Sequence, residues 1–268
     1  WCFVEECVES ACSALVCTID GRAWVARNND LWAPRMWGYL TVRDVAGRLP
    51  TAIFGLEAEV FAGTGINGAS LWLHYNWLPV DDAPSPAKPS SPSFVWLREA
   101  LETCWTIGEV EALLRAVDRE GGMLLFAVDG KTDTFSVFEC SCAQYARRQG
   151  AEAWIAGTNH RAEIDRSDRQ QEPGREVTSS QRRIRRLETL VRELCERPGA
   201  VDAPHDLIGI LADPGVEVRG DQYGTVYANV ACPSRHAIWY TFGGYPAASA
   251  GAWGRVAWLW GPSTVGTA

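Results

Sequence analysis

Alternating apolar residues come in separate blocks along this chain, and the helical period occupies other blocks between them. Residues 12–28 read as a hairpin: 13–18 is β-prone, Asp20-Gly21 is the turn signal, and 22–26 returns. Segments 40–45 and 51–54 predict two further strands, and 61–65 with 70–76 repeat the pattern around Asn67-Gly68. The period then changes. Segments 95–104 and 107–120 have helical spacing, with Gly121-Gly122 expected to end the second helix. Strands are expected again at 123–128, 134–140 and 153–157. A long helix follows over 179–196, opened by a Ser cap and stopped before Pro198, and a short one over 205–211. Segments 224–232, 237–242 and 255–260 close the chain as strands. Because helices do not alternate strictly with strands, the pattern favours sheets packed face to face between helical layers over a doubly wound parallel sheet.

Two segments read as loops. Residues 81–93 (DDAPSPAKPSSPS) are rich in Pro and Ser, a loop expected to lie over the site; 161–177 is long, polar and charged. No internal repeat or glycine-rich phosphate loop is present. Gly63-Thr64-Gly65 is too short for one.

The balance of 33 acidic against 25 basic residues gives a net charge of -8, which argues against a general nucleic-acid binder. The one basic cluster, Arg182, Arg183, Arg185 and Arg186, falls on the long helix and reads first as a solvated face. No apolar run reaches the roughly 18 residues of a membrane span, so no membrane partner is expected. Nine scattered cysteines show no paired metal-ligand spacing, so neither metal nor cofactor is expected. They read mostly as buried thiols of a reducing, cytoplasmic compartment. A homo-oligomer is compatible with the composition.

Four features carry chemistry together. Cys12 opens the hairpin, Arg27-Asn28-Asn29-Asp30 closes it, Tyr75-Asn76 ends a strand, and Thr158-Asn159-His160 follows another strand at Gly157. Singly, each Asn is an ordinary turn or cap residue. As a set they offer a candidate for each role in thiol catalysis. A cysteine at a chain's first residue has its own base beside it, an α-amine with a pKa of about 7.7–8.0. A nearby Arg favours the thiolate, a carboxylate orients the amine, and amide groups hold the oxyanion.

These segments resemble a known family. CSALVCTIDGRAWVARNND (12–30) resembles the mature start of cysteine N-terminal-nucleophile hydrolases. They include choloylglycine hydrolase, penicillin V acylase and acid ceramidase-like amidases. The likeness is greatest to the acyl-coenzyme A:6-aminopenicillanic acid acyltransferase family. GINGASLWLHYNWLPV (65–80) is similar to that family's Gly- and Asn-bearing segment ending in Asn. AGTNH (156–160) matches its Thr-Asn-His segment, SSQRRIRRLETL (179–190) its Ser-x-x-Arg helix, and TVYANVACPSRHAIWYTFGGYP (225–246) its closing strands. The order and spacing carry the resemblance more than any one motif. Two departures stand out: the turn is one residue short, and Ala11 precedes Cys12 where the acyltransferases usually have Gly.

The resemblance implies an α+β protein, a four-layer αββα sandwich of two mainly antiparallel sheets. It implies a propeptide-like segment 1–11 and a single domain over 12–268. Cys12 would be the nucleophile and, through its amine, the base. Asp30 would bind that amine, Arg27 would tune the thiol, and Asn76 and Asn159 would support the oxyanion. Arg182 or Arg183 would be the family's distal arginine. The expected partner is a small-molecule amide or acyl donor. Trp24, Trp32, Trp37, Trp72 and Trp77 lie near the motif segments and hint at an apolar or aromatic acyl group. Two other readings stand beside this one. One is a non-cleaving relative acting as a binding or accessory protein in a biosynthetic pathway. The other is a thiol enzyme using His160 as base, with His74 and His236 structural. Cys2 and Cys7 are rival thiols but lack the motif at the right distance.

Overall fold

The structure, a computed structural model, describes residues 11–32, 38–56, 62–148, 153–162, 178–197, 199–241 and 243–260. Cys2, Cys7, Trp37, Phe61, Phe242, almost all of the propeptide-like segment and most of the polar 161–177 stretch lie outside the described residues.

Two large antiparallel sheets form the centre. The first has six strands in the order β12-β1-β2-β13-β14-β15, and the second seven, in the order β11-β10-β9-β6-β5-β4-β3. In the first sheet, β1 (Ala11–Ile19) and β2 (Arg22–Trp32) are the sequence-predicted hairpin, flanked by β12 (Trp154–Gly157) and β13 (Tyr223–Cys232); β14 (Ala237–Thr241) and β15 (Trp253–Val256) continue outward. Asp20 and Gly21 both take positive φ, 51° and 70°, the conformation a two-residue hairpin turn demands. In the second sheet lie β3 (Gly38–Arg43), β4 (Thr51–Leu56), β5 (Thr64–Asn67), β6 (Leu71–Leu78), β9 (Gly122–Asp129), β10 (Thr134–Cys140) and β11 (Tyr145–Arg148). A two-residue parallel pair joins β7 (Ser90–Ser91) to β8 (Asp118–Arg119).

Alternation along the strands separates three apolar cores. Ala14, Val16, Val25, Phe54, Trp72, Phe126 and Tyr240 interleave between the sheets. Leu15, Cys17 and Ala26 point the other way, onto Leu187, Val191 and Leu207 of α3 (Ser179–Glu196) and α4 (Ala203–Leu211). Leu71, Leu73 and Leu125 pack on Leu97, Leu101 and Leu114 of α1 (Ser93–Thr103) and α2 (Ile107–Ala116). A short α5 (Ala247–Ala250) completes the helices. The architecture is therefore the four-layer αββα sandwich.

Several expected boundaries move. Helix α2 stops at Ala116, because Asp118 and Arg119 turn inward, fully buried, and pair with β7. The four backbone carbonyls of Leu114, Val117, Ser141 and Gln144 hold the Arg119 guanidinium there. Gly122 thus begins β9 rather than ending a helix. The cap of α3 is Thr178, one residue before the expected Ser, in a reciprocal capping box with Gln181. The last strand is Trp253–Val256, not 255–260. The 81–93 loop is pinned: Asp82 accepts from the Ser141 hydroxyl and from the Cys142 and Ala143 N–H groups, and Asp118 accepts from Ser85 N–H. Of the seven described cysteines six are buried, and Cys195 is exposed. No helix among the described residues is long and apolar enough to cross a membrane.

Candidate active site

Alternation also decides which way each site residue faces. Cys12 shares parity with Ala14 and Val16, so its thiol points between the sheets. Arg27 and Asn29 on β2 share parity with Ala23 and Val25 and point the same way. Ser13 and Asp30 have the opposite parity and face α3. The site is thus built on both faces of one sheet, at the open end of the β1–β2 hairpin.

On the inter-sheet side, Arg27 Nη2 lies 3.5 Å from Cys12 Sγ and donates to Asn29 Oδ1 at 2.7 Å and to the Tyr75 carbonyl at 2.8 Å. Its Nη1 donates to the hydroxyls of Tyr227, at 2.9 Å, and Thr64. Arg27 is 2% exposed, and among the described residues no carboxylate forms an ion pair with it. A buried cation held by neutral acceptors favours negative charge on the Cys12 thiol beside it. That thiol is itself 3% exposed. Burial pushes it above the ordinary thiol range and Asp30 adds to this, against the pull of Arg27, an N–H bond from Asp30 and Arg183.

On the helix side, Arg183 is the centre. Its Nη1 donates to the Cys12 carbonyl at 2.6 Å and to Ser13 Oγ at 2.7 Å; its Nη2 donates to Asn159 Oδ1 at 3.1 Å. Asp30 Oδ2 stands 4.0 Å from Arg183 Nη1, and Oδ1 accepts from the Thr225 hydroxyl at 2.6 Å. Oδ2 is buried and accepts no hydrogen bond from the described residues. Burial pushes Asp30 up to about 6, opposed by Arg183, the Thr225 hydroxyl and Arg27. The helix register explains why Arg183 is chosen: it lies on the apolar stripe with Leu187, Val191 and Leu194. Arg182 is exposed, one position off that stripe, and is not in the cluster; the basic-face expectation holds for Arg182, Arg185 and Arg186 but not for Arg183.

The two asparagines differ. Asn159 Oδ1 accepts from the Cys12 backbone N–H at 2.7 Å, and its Nδ2 donates to the Trp77 carbonyl at 2.9 Å, leaving one amide hydrogen over. Asn76 Nδ2 donates to the Gly157 and Thr158 carbonyls at 3.2 and 3.3 Å, bracing the strand that leads to Asn159. That brace needs close sheets: a Cβ on Gly157 would fall 2.3 Å from Leu124 Cδ2. Asn29, Thr225 and Tyr227, which lie in the motif segments without a role of their own, join the site, as does Thr64. Tyr223 joins too, accepting from Ala11 N–H.

Histidines stay outside this network. His160 Nδ1 lies 2.8 Å from Ser180 Oγ and 3.2 Å from Thr158 Oγ1, and burial followed by Arg148 lowers its pKa. His74 stacks on Phe126, and His236 on Trp258. Among the described residues, Trp24, Trp32 and Trp72 do not share a cleft. Trp72 is in the inter-sheet core, Trp24 stacks on Trp239 under the helices, and Trp32 is 45% exposed against Tyr223. A surface groove around Asp20, Trp24, Asp202 and Arg235 opens at the far end of the hairpin, roughly 20 Å of strand from Cys12.

The fold is shared with solved enzymes. A mutant conjugated bile acid hydrolase from Clostridium perfringens is similar with a TM-score of 0.62 and 13% identity, over 92% of this chain and 96% of that one. Penicillin V acylase from Agrobacterium tumefaciens gives 0.60 and 13%, over 86% and 82%; the Caenorhabditis elegans ortholog of N-acylethanolamine-hydrolyzing acid amidase gives 0.58 and 14%, over 83% and 93%. These define the class of fold, that of the N-terminal-nucleophile hydrolases. The family model of acyl-coenzyme A:6-aminopenicillanic acid acyl-transferase matches residues 17–246, and the chain belongs to that family. No curated protein sequence matches significantly.

Proposed function

We propose that this protein is a cysteine N-terminal-nucleophile enzyme that cleaves or transfers the acyl group of a small-molecule amide through a thioester on Cys12. It becomes active when segment 1–11 is removed, leaving one domain over 12–268. The observation that carries this reading is the Arg27 guanidinium, buried with no paired carboxylate among the described residues and 3.5 Å from the Cys12 sulfur. Family membership and the fold point the same way.

In the processed protein the Cys12 amine takes the thiol proton, and Arg27 stabilises the resulting thiolate. Asp30, with Oδ2 open to one more hydrogen bond, holds the new ammonium. The sulfur adds to the substrate carbonyl, and the oxyanion takes the remaining Asn159 amide hydrogen, with Asn76 fixing the strand behind it. The ammonium protonates the departing nitrogen, which leaves the thioester. Water then gives hydrolysis, whereas an amine acceptor gives acyl transfer. Arg183 positions Cys12 through its carbonyl. A cytoplasmic setting, with its thiols reduced, suits this chemistry.

The test is Cys12→Ala in the full chain. It is expected to keep the fold and lose both Ala11–Cys12 cleavage and amide turnover. Normal cleavage in that variant would overturn the assignment, and a parental chain that stays intact would favour a non-cleaving accessory protein.

A further inference from the structure

We propose that Tyr223 is a positioning residue for scission of the Ala11–Cys12 bond; this rests on the reading above that the bond is broken. Tyr223 opens β13, opposite Trp32 in register, and its ring meets the Trp32 ring edge-on at 5.2 Å and 61°. Its hydroxyl accepts from Ala11 N–H and donates to the Asp30 carbonyl at 3.4 Å. Counting outward from the two-residue turn, in which Ile19 faces Arg22, hydrogen-bonding pairs fall at every second position, and Ala11–Asp30 is one of them. The hydroxyl therefore sits beside the last rung of the hairpin, within hydrogen-bond reach of both of its backbone groups.

The consequence is a grip on both sides of the scissile bond. Tyr223 holds the N–H before it. Asn159 Oδ1 holds the Cys12 N–H at 2.7 Å, and Arg183 holds the Cys12 carbonyl at 2.6 Å. With all three fixed, the Ala11 carbonyl carbon is presented to Sγ without free rotation of the strand end, a positioning effect. In the step itself a bond forms between Cys12 Sγ and the Ala11 carbonyl carbon, and the bond from that carbon to the Cys12 nitrogen breaks. The thiol proton ends on the departing nitrogen. Water then cleaves the thioester, giving the Ala11 carboxylic acid and restoring the thiol. A hydroxyl can accept from Ala11 and donate to Asp30 at once; a phenyl ring can do neither. Burial, Asp30 and Cys12 push the Tyr223 pKa up, so the O–H stays protonated and donates rather than acting as a base.

The experiment is a pulse–chase of the full chain in cell-free translation, separating intact from cleaved protein. Three chains are compared: parental, Tyr223→Phe, and Trp32→Phe as a packing control that keeps the hydroxyl. Tyr223→Phe is expected to slow cleavage at least about tenfold, equivalent to about 1.4 kcal/mol of barrier. Amide turnover per cleaved molecule should fall at least fivefold less than cleavage does. Trp32→Phe should cleave near the parental rate. Cleavage of Tyr223→Phe at the parental rate would overturn the inference, as would equal losses in cleavage and turnover. A Trp32→Phe chain as slow as Tyr223→Phe would assign the effect to ring packing and overturn it too. A parental chain that never cleaves would sink the functional reading itself, a separate outcome.

Discussion

Arg183 Nη1 donates to the Cys12 carbonyl at 2.6 Å across 171 residues of sequence, tying the α3 helix to the strand that carries the candidate nucleophile. Arg183→Ala would leave the Cys12 carbonyl and Ser13 Oγ without this donor and Asp30 without its nearest cation. Removing one member of a buried charged pair costs about 3–5 kcal/mol. Urea denaturation should show a loss of that size for Arg183→Ala, and a change within about 0.5 kcal/mol for the exposed Arg182→Ala. Equal effects of the two would contradict the placement.

Arg27→Gln keeps a hydrogen-bonding side chain but removes the cation beside Cys12. Because Arg27 pulls the thiol pKa down, alkylation of Cys12 in the processed enzyme should shift to higher pH in the variant. Amide turnover should fall by about two orders of magnitude, since charge and positioning are both lost. An unchanged alkylation profile would mean that Arg27 does not tune the thiol.

Asp30 makes the uncleaved chain pH-sensitive. Burial raises its pKa from 3.8 to about 6, so the folded protein binds this proton more tightly than the unfolded chain. The resulting stabilisation is complete below pH 3.8 and is lost as pH rises through 6, about 3 kcal/mol in all. We therefore expect Asp30→Asn, made in the uncleavable Cys12→Ala chain, to become progressively more stable relative to its parent between pH 4 and 7. Thermal unfolding across that range checks it; a pH-independent difference would contradict it.

His160→Ala should retain most amide turnover, because the imidazole bonds to Thr158 and Ser180 and not to the thiol. A loss of turnover, measured on fully cleaved protein with the parental fold, would restore His160 as the base.

Much of this was legible in the sequence, for identifiable reasons. The hairpin announced itself through Asp20-Gly21, a pair suited to two successive positive φ angles. Helix α3 was legible from its period, and the same period could have separated Arg183 from Arg182, since only Arg183 continues the row of Leu187, Val191 and Leu194. What stayed hidden depends on contacts far apart in the chain. Tyr223, Thr225 and Tyr227 reach the hairpin only because β13 pairs with β2. Asp118 and Arg119 look like helix-surface residues until the carbonyls that bury Arg119 are known. Nearness in sequence also hides strand alternation: Trp24 and Trp72 end up in different cores.

The most direct measurement is the intact mass and N-terminal sequence of the active protein, followed by trapping with a slowly turned-over amide. The account predicts a chain that begins at Cys12 and carries one acyl group, as a thioester, on that residue. Full amide turnover by a chain in which the Ala11–Cys12 bond is still whole would contradict it.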